Sequence, residues 1–270
     1  MVNTVELQKE ILVYLPCYNC EAKIVSTLQS IPREFHDKIE CLVVDNCSTD
    51  GTVAAVLKAR QARAFPFPVH VVRNHENVGY AGSQKVGLSI AAQSATVRKI
   101  IILHGDGQYD PAMMREFLPY IDQDHAIVNG FRSKEAHPDK EETPWLTYVI
   151  IKSLSALESF VLGIPAREWH SGFVMYQNDF IRKIPLQRLS PYMHVDGEFL
   201  MCAGILNEKI RSVPIYKRYK GFHMFGGLAR IKYIFYVFKL MARFKQGYYH
   251  RILSGGGPIN VKTEYELLTA

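Results

Sequence analysis

The chain has 270 residues with a formal net charge of +6, 48% hydrophobic and 21% charged residues. This is an ordinary soluble composition, long enough to bury a full core as one large or two small domains, and the positive balance suggests an acidic partner without naming it. Five cysteines is an odd number, and no charged n-region, apolar h-region and cleavage site precede ILVYLP, so neither a disulfide framework nor secretion is expected and the chain is placed in a reducing cytosol.

In chain order, short apolar runs alternate with helical stretches. ILVYL precedes EAKIVSTLQSI, IECLVVD precedes GTVAAVLKARQA, PVHVVR precedes GSQKVGLSIAAQ, KIIIL precedes PAMMREFLPYI, and HAIVNG follows. Uninterrupted apolar strands separated by helices read as βαβ units, which predicts an α/β fold with a mostly parallel, Rossmann-like sheet covered by helices on both faces. Ligands of such sheets bind at the carboxyl ends of the strands. Those ends carry PCYNCE, DNCSTDG, NHENVGYAG and HGDGQ, four polar and turn-rich loops on one rim.

Each loop has a plain structural reading beside a chemical one. Asp50 with Gly51, and Asp110 with Pro111, read as helix caps, because a short acid accepts orphan N–H groups and proline has none to lose. Asp45 ends a buried strand with Asn46 beside it and no helix starting for several residues, which favours a ligand role. In the fourth loop His104, Asp106 and Gln108 alternate, so in an extended segment their side chains share one side. Nitrogen and oxygen donors at that spacing suit Mn²⁺ or Mg²⁺ held together with substrate phosphates. The plain alternative is a turn supported by Asp106.

The ordered series PCYNCE, VVDNCSTDGT, NVGYAGSQKVGLSIA and LHGDGQYDP, continued by GFRS, HSGF, VDGE and VPIYKRY, resembles the family-two glycosyltransferases with the GT-A fold over about residues 10 to 225. The resemblance points to the branch of dolichyl-phosphate mannosyltransferase and bacterial polyprenyl-phosphate glycosyltransferases. It implies that Pro16, Tyr18, Asn19 and Glu21 wall a nucleotide-diphosphate sugar of GDP-mannose or UDP-glucose type. Asp45, with Asn46 beside it, would accept from the base, and Asp106 and Gln108 would bind the metal. The family begins its metal segment with an acid where this chain has His104. A neutral imidazole can still ligate Mn²⁺, but one negative charge is gone.

On the acceptor side, Arg132 matches an arginine of the family, Arg218 matches one of its acceptor loop, and Lys152 stands where related sequences often carry another. Two guanidiniums and an ammonium converging on one point would capture the phosphate of a polyprenyl acceptor. A phosphate is already a nucleophile at neutral pH, so Asp196 and Glu198 are then orienting groups near the sugar. A hydroxyl acceptor would need one of them as a base. The reaction expected is metal-dependent transfer of a hexose to a polyprenyl phosphate, in one in-line step with inversion. Two alternatives stay open: a hydroxyl acceptor on a saccharide or protein, and a silent GT-A module that binds nucleotide or a partner. The QxxRW signature of processive synthases is missing.

PWLTYVIIKSLSALESFVLG is long enough to span a bilayer, but Lys152, Glu158 and several serines interrupt it, which argues against a span. From Lys217 to Arg251 there is no acid, and Lys and Arg alternate with aromatics. That pattern reads as an amphipathic helix on an anionic membrane surface, with a core helix as the plain alternative and no nucleic-acid partner. The organisation expected is a catalytic domain over 1–225, then a C-terminal amphipathic helix and flexible tail over 226–270, peripheral at the cytoplasmic face of a membrane. CYNC invites a zinc reading, but Cys41 begins its strand about 20 Å from Cys47 at the other end, so four cysteines cannot close on one ion.

Overall fold

The computed structural model describes residues 5–133, 143–219, 227–256 and 263–268. The first apolar runs form β1 (Ile11–Cys17), β2 (Ile39–Asp45), β3 (Val69–Asn74) and β4 (Lys99–Ile102), crossed by α1 (Ile24–Gln29), α2 (Thr52–Gln61) and α3 (Gly79–Gln93). Then come β5 (Ile127–Arg132), α4 (Trp145–Leu162), β6 (Val174–Gln177), α5 (Asn178–Ile181), α6 (Val195–Ile205), β7 (Ile210–Ile215), α7 (Gly227–Lys245), α8 (Tyr248–Ser254) and β8 (Tyr265–Leu268). They build one eight-stranded sheet in the order β7-β5-β6-β4-β1-β2-β3-β8. β4, β1, β2 and β3 run parallel, as do β5 and β7, while β6 is antiparallel to both β4 and β5. The carboxyl ends of β1 to β5 therefore share one rim.

Strand alternation splits the core between the two faces of the sheet. Leu12 and Tyr14 of β1 face one cluster with α3, α6, α7 and α8, and Ile11, Val13 and Leu15 face the other with α1 and the Pro111–Tyr120 segment. Buried on both sides, these strands could not have shown a polar alternation, which is why they read as continuous apolar runs.

Three expectations change. Pro111–Tyr120 winds as a 3₁₀ helix rather than an α-helix, and Pro119 inside it has no N–H to give. The C-terminal helices are not a separate unit: Val237, Leu240 and Met241 of α7 and Tyr249 and Ile252 of α8 pack into the same core as α3 and α6. The tail, expected to be flexible, closes the sheet as β8, antiparallel to β3 with Val71 opposite Leu268. Residues 220–226 of the basic run and 257–262 of the tail lie outside the described residues.

α4 and α7 pack on each other and keep much apolar surface outward. α4 docks through Leu154, Ser155, Glu158 and Leu162, while Trp145, Leu146, Val149 and Phe160 are exposed. Among the described residues α4 is the one helix long and apolar enough to cross a membrane by length and composition. In α7, Leu228, Ile231, Phe235 and Phe238 are exposed at spacings of three and four, a second apolar stripe beside the one facing the core.

Candidate active site

Hydrogen bonds clip the first three rim loops together. Asn19 accepts the Thr49 N–H on Oδ1 at 2.9 Å and donates its own N–H to Ser48 Oγ at 2.9 Å. Glu21 accepts the Gly51 N–H at 3.0 Å, and its own N–H goes to Asp50 at 3.1 Å. Asn46 reaches across to the third loop, accepting from Asn74 at 3.1 Å and the Val78 N–H at 3.0 Å while donating to Asn77 at 2.8 Å. Asn46 is thus occupied in holding two loops in register. Pro16 is half-buried beside these loops and Tyr18 is exposed.

Asp45 is fully buried at the end of β2. Its Oδ2 accepts the Ser48 N–H at 3.0 Å and faces Arg73 Nε at 3.5 Å, whereas Oδ1 is buried with no hydrogen-bond partner. An unmatched buried acceptor costs about 1–3 kcal/mol or more, a cost that a ligand N–H arriving at the rim would remove.

The fourth loop is not extended. His104 to Gln108 turn back on themselves, with the Gly107 N–H donated to the His104 carbonyl at 3.4 Å, Gly107 at φ 75°, and Asp106 Oδ1 accepting the Gln108 N–H at 2.9 Å. Period-two alternation therefore does not apply to these three residues, and the turn reading of Asp106 holds as far as Oδ1 goes. Asp106 Oδ2 and the Gln108 side chain are left for an ion. His104 lies between the rings of Tyr80 and Tyr109 at 5.5 and 5.1 Å, and its Nε2 is buried with no hydrogen-bond partner. Gly172 lets its backbone pack against this ring, since a Cβ there would stand 2.7 Å from Nε2 and 2.8 Å from the Tyr80 hydroxyl. Burial holds this imidazole down at about 4, neutral and competent to ligate. With those three donors the loop fits a divalent cation. Gly105 is needed for another reason: a Cβ there would meet Cys17 Sγ at 2.2 Å. All five cysteines are free, and Cys17, Cys20, Cys41 and Cys202 are buried, which agrees with a packing role for CYNC.

The two carboxylates of VDGE part company. Asp196 accepts from the Tyr80 hydroxyl at 2.8 Å, Gln84 at 2.6 Å and the Tyr176 hydroxyl at 3.0 Å, so it backs the same Tyr80 that flanks His104. Burial raises its carboxyl above the usual range. Glu198, two residues along α6, is carried into the core, where it accepts from the Ser190 N–H at 3.0 Å and the Tyr249 hydroxyl at 2.8 Å. It has no exposure at all, so the expectation that Glu198 orients the sugar or acts as base is not met. Its work is to tie α8 to α6.

Of the three cations expected to converge on a phosphate, Arg132 and Lys152 share one cleft and Arg218 is not in its walls. Arg132, at the end of β5, is buried against Glu168, and Lys152 of α4 reaches the other oxygen of Glu168 at 3.6 Å. Arg218 is held by Asp110 at 2.7 Å, while the same Asp110 caps the 3₁₀ segment through the Ala112 N–H. What the sequence reading missed is a cleft of about 900 Å³ between α4 and the β5–β7 edge, whose walls carry Arg132, Lys152, Arg167 and Arg211 with the acid Glu116, while Glu168 behind the wall pairs with Arg132 and Lys152. It also passed over Lys217. Burial lowers that ammonium to about 8; Arg132 adds to the effect while Asp106 opposes it, and the ammonium stands over the Tyr109 ring at 5.1 Å. The Arg218 N–H on the Gln108 carbonyl at 2.9 Å pins this segment to the fourth loop.

Known proteins resemble the chain in sequence and in fold. The model of glycosyl transferase family 2 matches residues 12–185. Polyprenol monophosphomannose synthase of Mycolicibacterium smegmatis is 25% identical over 183 residues, covering 68% of this chain and 67% of that protein. An uncharacterized glycosyltransferase of Haemophilus influenzae is 28% identical over 115 residues, which cover 43% of this chain and 35% of that protein. Among solved structures, glucosyl-3-phosphoglycerate synthase from Mycobacterium tuberculosis in complex with UDP superimposes at a TM-score of 0.60 with 18% identity, covering 88% of this chain and 80% of that one. The same enzyme with Mn²⁺, UDP and phosphoglyceric acid gives 0.59 at 16% identity over 87% and 78% of the two chains. The chain belongs to glycosyl transferase family 2, and its α/β sheet is a GT-A fold.

Proposed function

We propose that this family 2 enzyme moves a hexose from a nucleoside-diphosphate sugar to a polyprenyl phosphate at a membrane surface. The observation that carries the acceptor is the cationic cleft lined by Arg132, Lys152, Arg167 and Arg211, which opens along α4, the helix whose outward face exposes Trp145, Leu146, Val149 and Phe160. A phosphate suits the cations, and the chain of a lipid suits the apolar face beside them. On the donor side, the open Oδ1 of Asp45 suits a base N–H, within the frame of Asn19 and Glu21. Mn²⁺ or Mg²⁺ at Asp106, Gln108 and His104 would supply charge to offset a departing diphosphate. Lys217, turned toward the same loop, adds a positive charge from the protein itself.

The polyprenol-phosphate relative named above supports a lipid acceptor, and the neighbours solved with Mn²⁺ or Mg²⁺ and UDP support a divalent ion and a nucleotide donor. A hydroxyl acceptor would need a base. Asp196 already accepts three hydrogen bonds and Glu198 is sealed in the core, so neither is set to take a proton from an incoming hydroxyl. The test is a screen of radiolabelled UDP- and GDP-sugars against a short polyprenyl phosphate with each ion. Label in the lipid fraction is the expected result. Transfer confined to saccharide or protein hydroxyls, with the lipid untouched, would replace the acceptor.

A further inference from the structure

Away from the rim, four elements bring polar groups to one buried point. Glu158 lies on the docked face of α4, His170 in the segment before β6, His194 at the start of α6, and Tyr233 on α7. His170 Nε2 stands 2.9 Å from Glu158 Oε2, and His194 Nε2 stands 2.8 Å from Oε1. The three ligand atoms lie within 4.8 Å of one another. Glu158 and His194 are fully buried and the His170 side chain is 4% exposed. None of this belongs to the donor loop or to the cationic cleft.

Proton counting shows what is missing at that point. The Tyr233 hydroxyl lies 2.8 Å from His170 Nδ1 and 2.9 Å from His194 Nδ1. A phenol has one hydrogen, so it can donate to only one of the two rings, and the other ring must carry its proton on Nδ1. If that ring is neutral, its Nε2 presents a bare lone pair to a carboxylate at under 3 Å, in a dry site where such repulsion is strongest. Only a cation can stand between them. A protonated ring is the competing cation, since each nitrogen lies within ion-pair distance of a Glu158 oxygen, yet both Nε2 atoms and both oxygens are buried without a well-formed hydrogen bond. Two ligand atoms that share one ion at about 2.0–2.1 Å are about 2.9 Å apart at right angles and about 3.3 Å apart at the tetrahedral angle, so these atoms need to open by only about half an ångström to hold one.

We infer that Glu158, His170 and His194 form a second metal site, for a zinc-class divalent transition ion, which fastens α4 and α7 to the catalytic sheet. Two imidazole nitrogens and one carboxylate are a donor set for zinc rather than for magnesium or calcium. With the ion on both Nε2 atoms, both Nδ1–H groups donate to Tyr233 Oη, whose two lone pairs can take them, which is how bound histidines are ordinarily oriented. The site joins the helices that carry the exposed apolar faces to His170, two residues before the Gly172 whose backbone packs against the His104 ring. It stands whichever acceptor the enzyme uses.

The test uses the full chain carrying Asp106→Ala, so that the donor loop cannot account for the ion. After dialysis against a chelator, Co²⁺ is added and the visible d–d bands are titrated, and Zn²⁺ is then competed against a chromophoric chelator. One equivalent of Co²⁺ displaced by Zn²⁺ is expected, with a melting temperature that rises on adding Zn²⁺. Tyr233→Phe should keep the stoichiometry and weaken binding roughly ten- to a hundredfold, the usual effect of losing an orienting partner. Glu158→Gln and His170→Asn, both near in shape, should abolish the bands while near-UV circular dichroism confirms the fold. Failure of the Asp106→Ala chain to bind one equivalent overturns the site, as does binding that survives in folded Glu158→Gln and His170→Asn.

Discussion

The two halves of the rim, proposed above to hold the donor and the acceptor, are held together by different forces. From β1 to β3 the loops are joined mainly by hydrogen bonds to backbone N–H groups, from the amides of Asn19 and Asn46 and the carboxylate of Glu21, and one buried carboxylate oxygen, Asp45 Oδ1, is left without a partner. From β5 to β7 the same job is done by charges: Arg132 and Lys152 on Glu168, and Arg218 on Asp110. Neutral hydrogen bonds can be lost one at a time at modest cost, whereas removing one member of a buried charge pair leaves the other stranded. Substitutions in the donor half should therefore be read in ligand affinity. Those in the acceptor half must be read against stability first.

The largest effect should come from Asp106→Asn, which keeps an oxygen for the Gln108 N–H but removes the charge. Turnover is expected to fall by at least about 10²–10³-fold, with an unchanged circular dichroism spectrum. Near-normal turnover would remove Asp106 from the chemistry. Arg132→Ala sharpens the contrast between the halves, because it leaves the fully buried Glu168 with Lys152, partly exposed at 3.6 Å, as its one remaining cation among the ion pairs described above. It should cost about 3–5 kcal/mol in urea unfolding. Lys152→Ala, which leaves Arg132 in place and removes a partly exposed group, should cost under about 1 kcal/mol and appear instead as a higher acceptor KM. Equal stability losses in the two variants would break the comparison.

In the donor half, Asp45→Asn should weaken nucleotide binding in calorimetry by roughly ten- to a hundredfold, the worth of a charge-assisted hydrogen bond of about 1.5–3 kcal/mol. A change in stability with no change in nucleotide affinity would make Asp45 a support for Ser48 and Arg73 only. The smallest effect is a pH limb. Lys217 is charged below about 8, so donor kcat/KM should fall as pH rises through that value, and Lys217→Arg should abolish the fall. Its folded value lies below that of a free lysine, so between the two the unfolded chain binds more protons and stability rises with pH. Activity and stability should thus move in opposite directions there. A limb that persists in Lys217→Arg belongs to another group.

The donor half was legible because its signals are local. Strands β1 to β4 are buried on both faces, so composition alone marks them, and the polar loops at their ends follow directly in sequence. The acceptor half was not, because its meaning lies in pairings across long separations. Arg132 was found by its place, but its partner Glu168 is 36 residues away, and nothing in AREWHSGF says which cation it will meet. Lys217 and Arg218 are neighbours in an extended segment, where sequence cannot say which turns inward. Glu198 and Asp196 share a motif, yet one helical step of 200° between them sends Asp196 to Tyr80 and Glu198 to Tyr249. The alternation argument failed at His104 to Gln108 for a physical reason that was visible in part: two glycines in four residues favour a turn over an extended chain. The β8 strand was missed because four residues in a polar tail gain their order only from pairing with β3.

The nucleophile proposed for this enzyme is a lipid phosphate. That proposal is tested most directly by offering the enzyme a short polyprenyl phosphate and the matching polyprenol in the same vesicles, with one labelled nucleotide sugar and Mn²⁺, and measuring where the label goes. The expected result is label in an acid-labile glycosyl phosphate, with the polyprenol unmodified, and loss of that product when Lys152 and Arg167 are both replaced by alanine. Label on the polyprenol hydroxyl, or on the phosphate at an undiminished rate in the double variant, would contradict it.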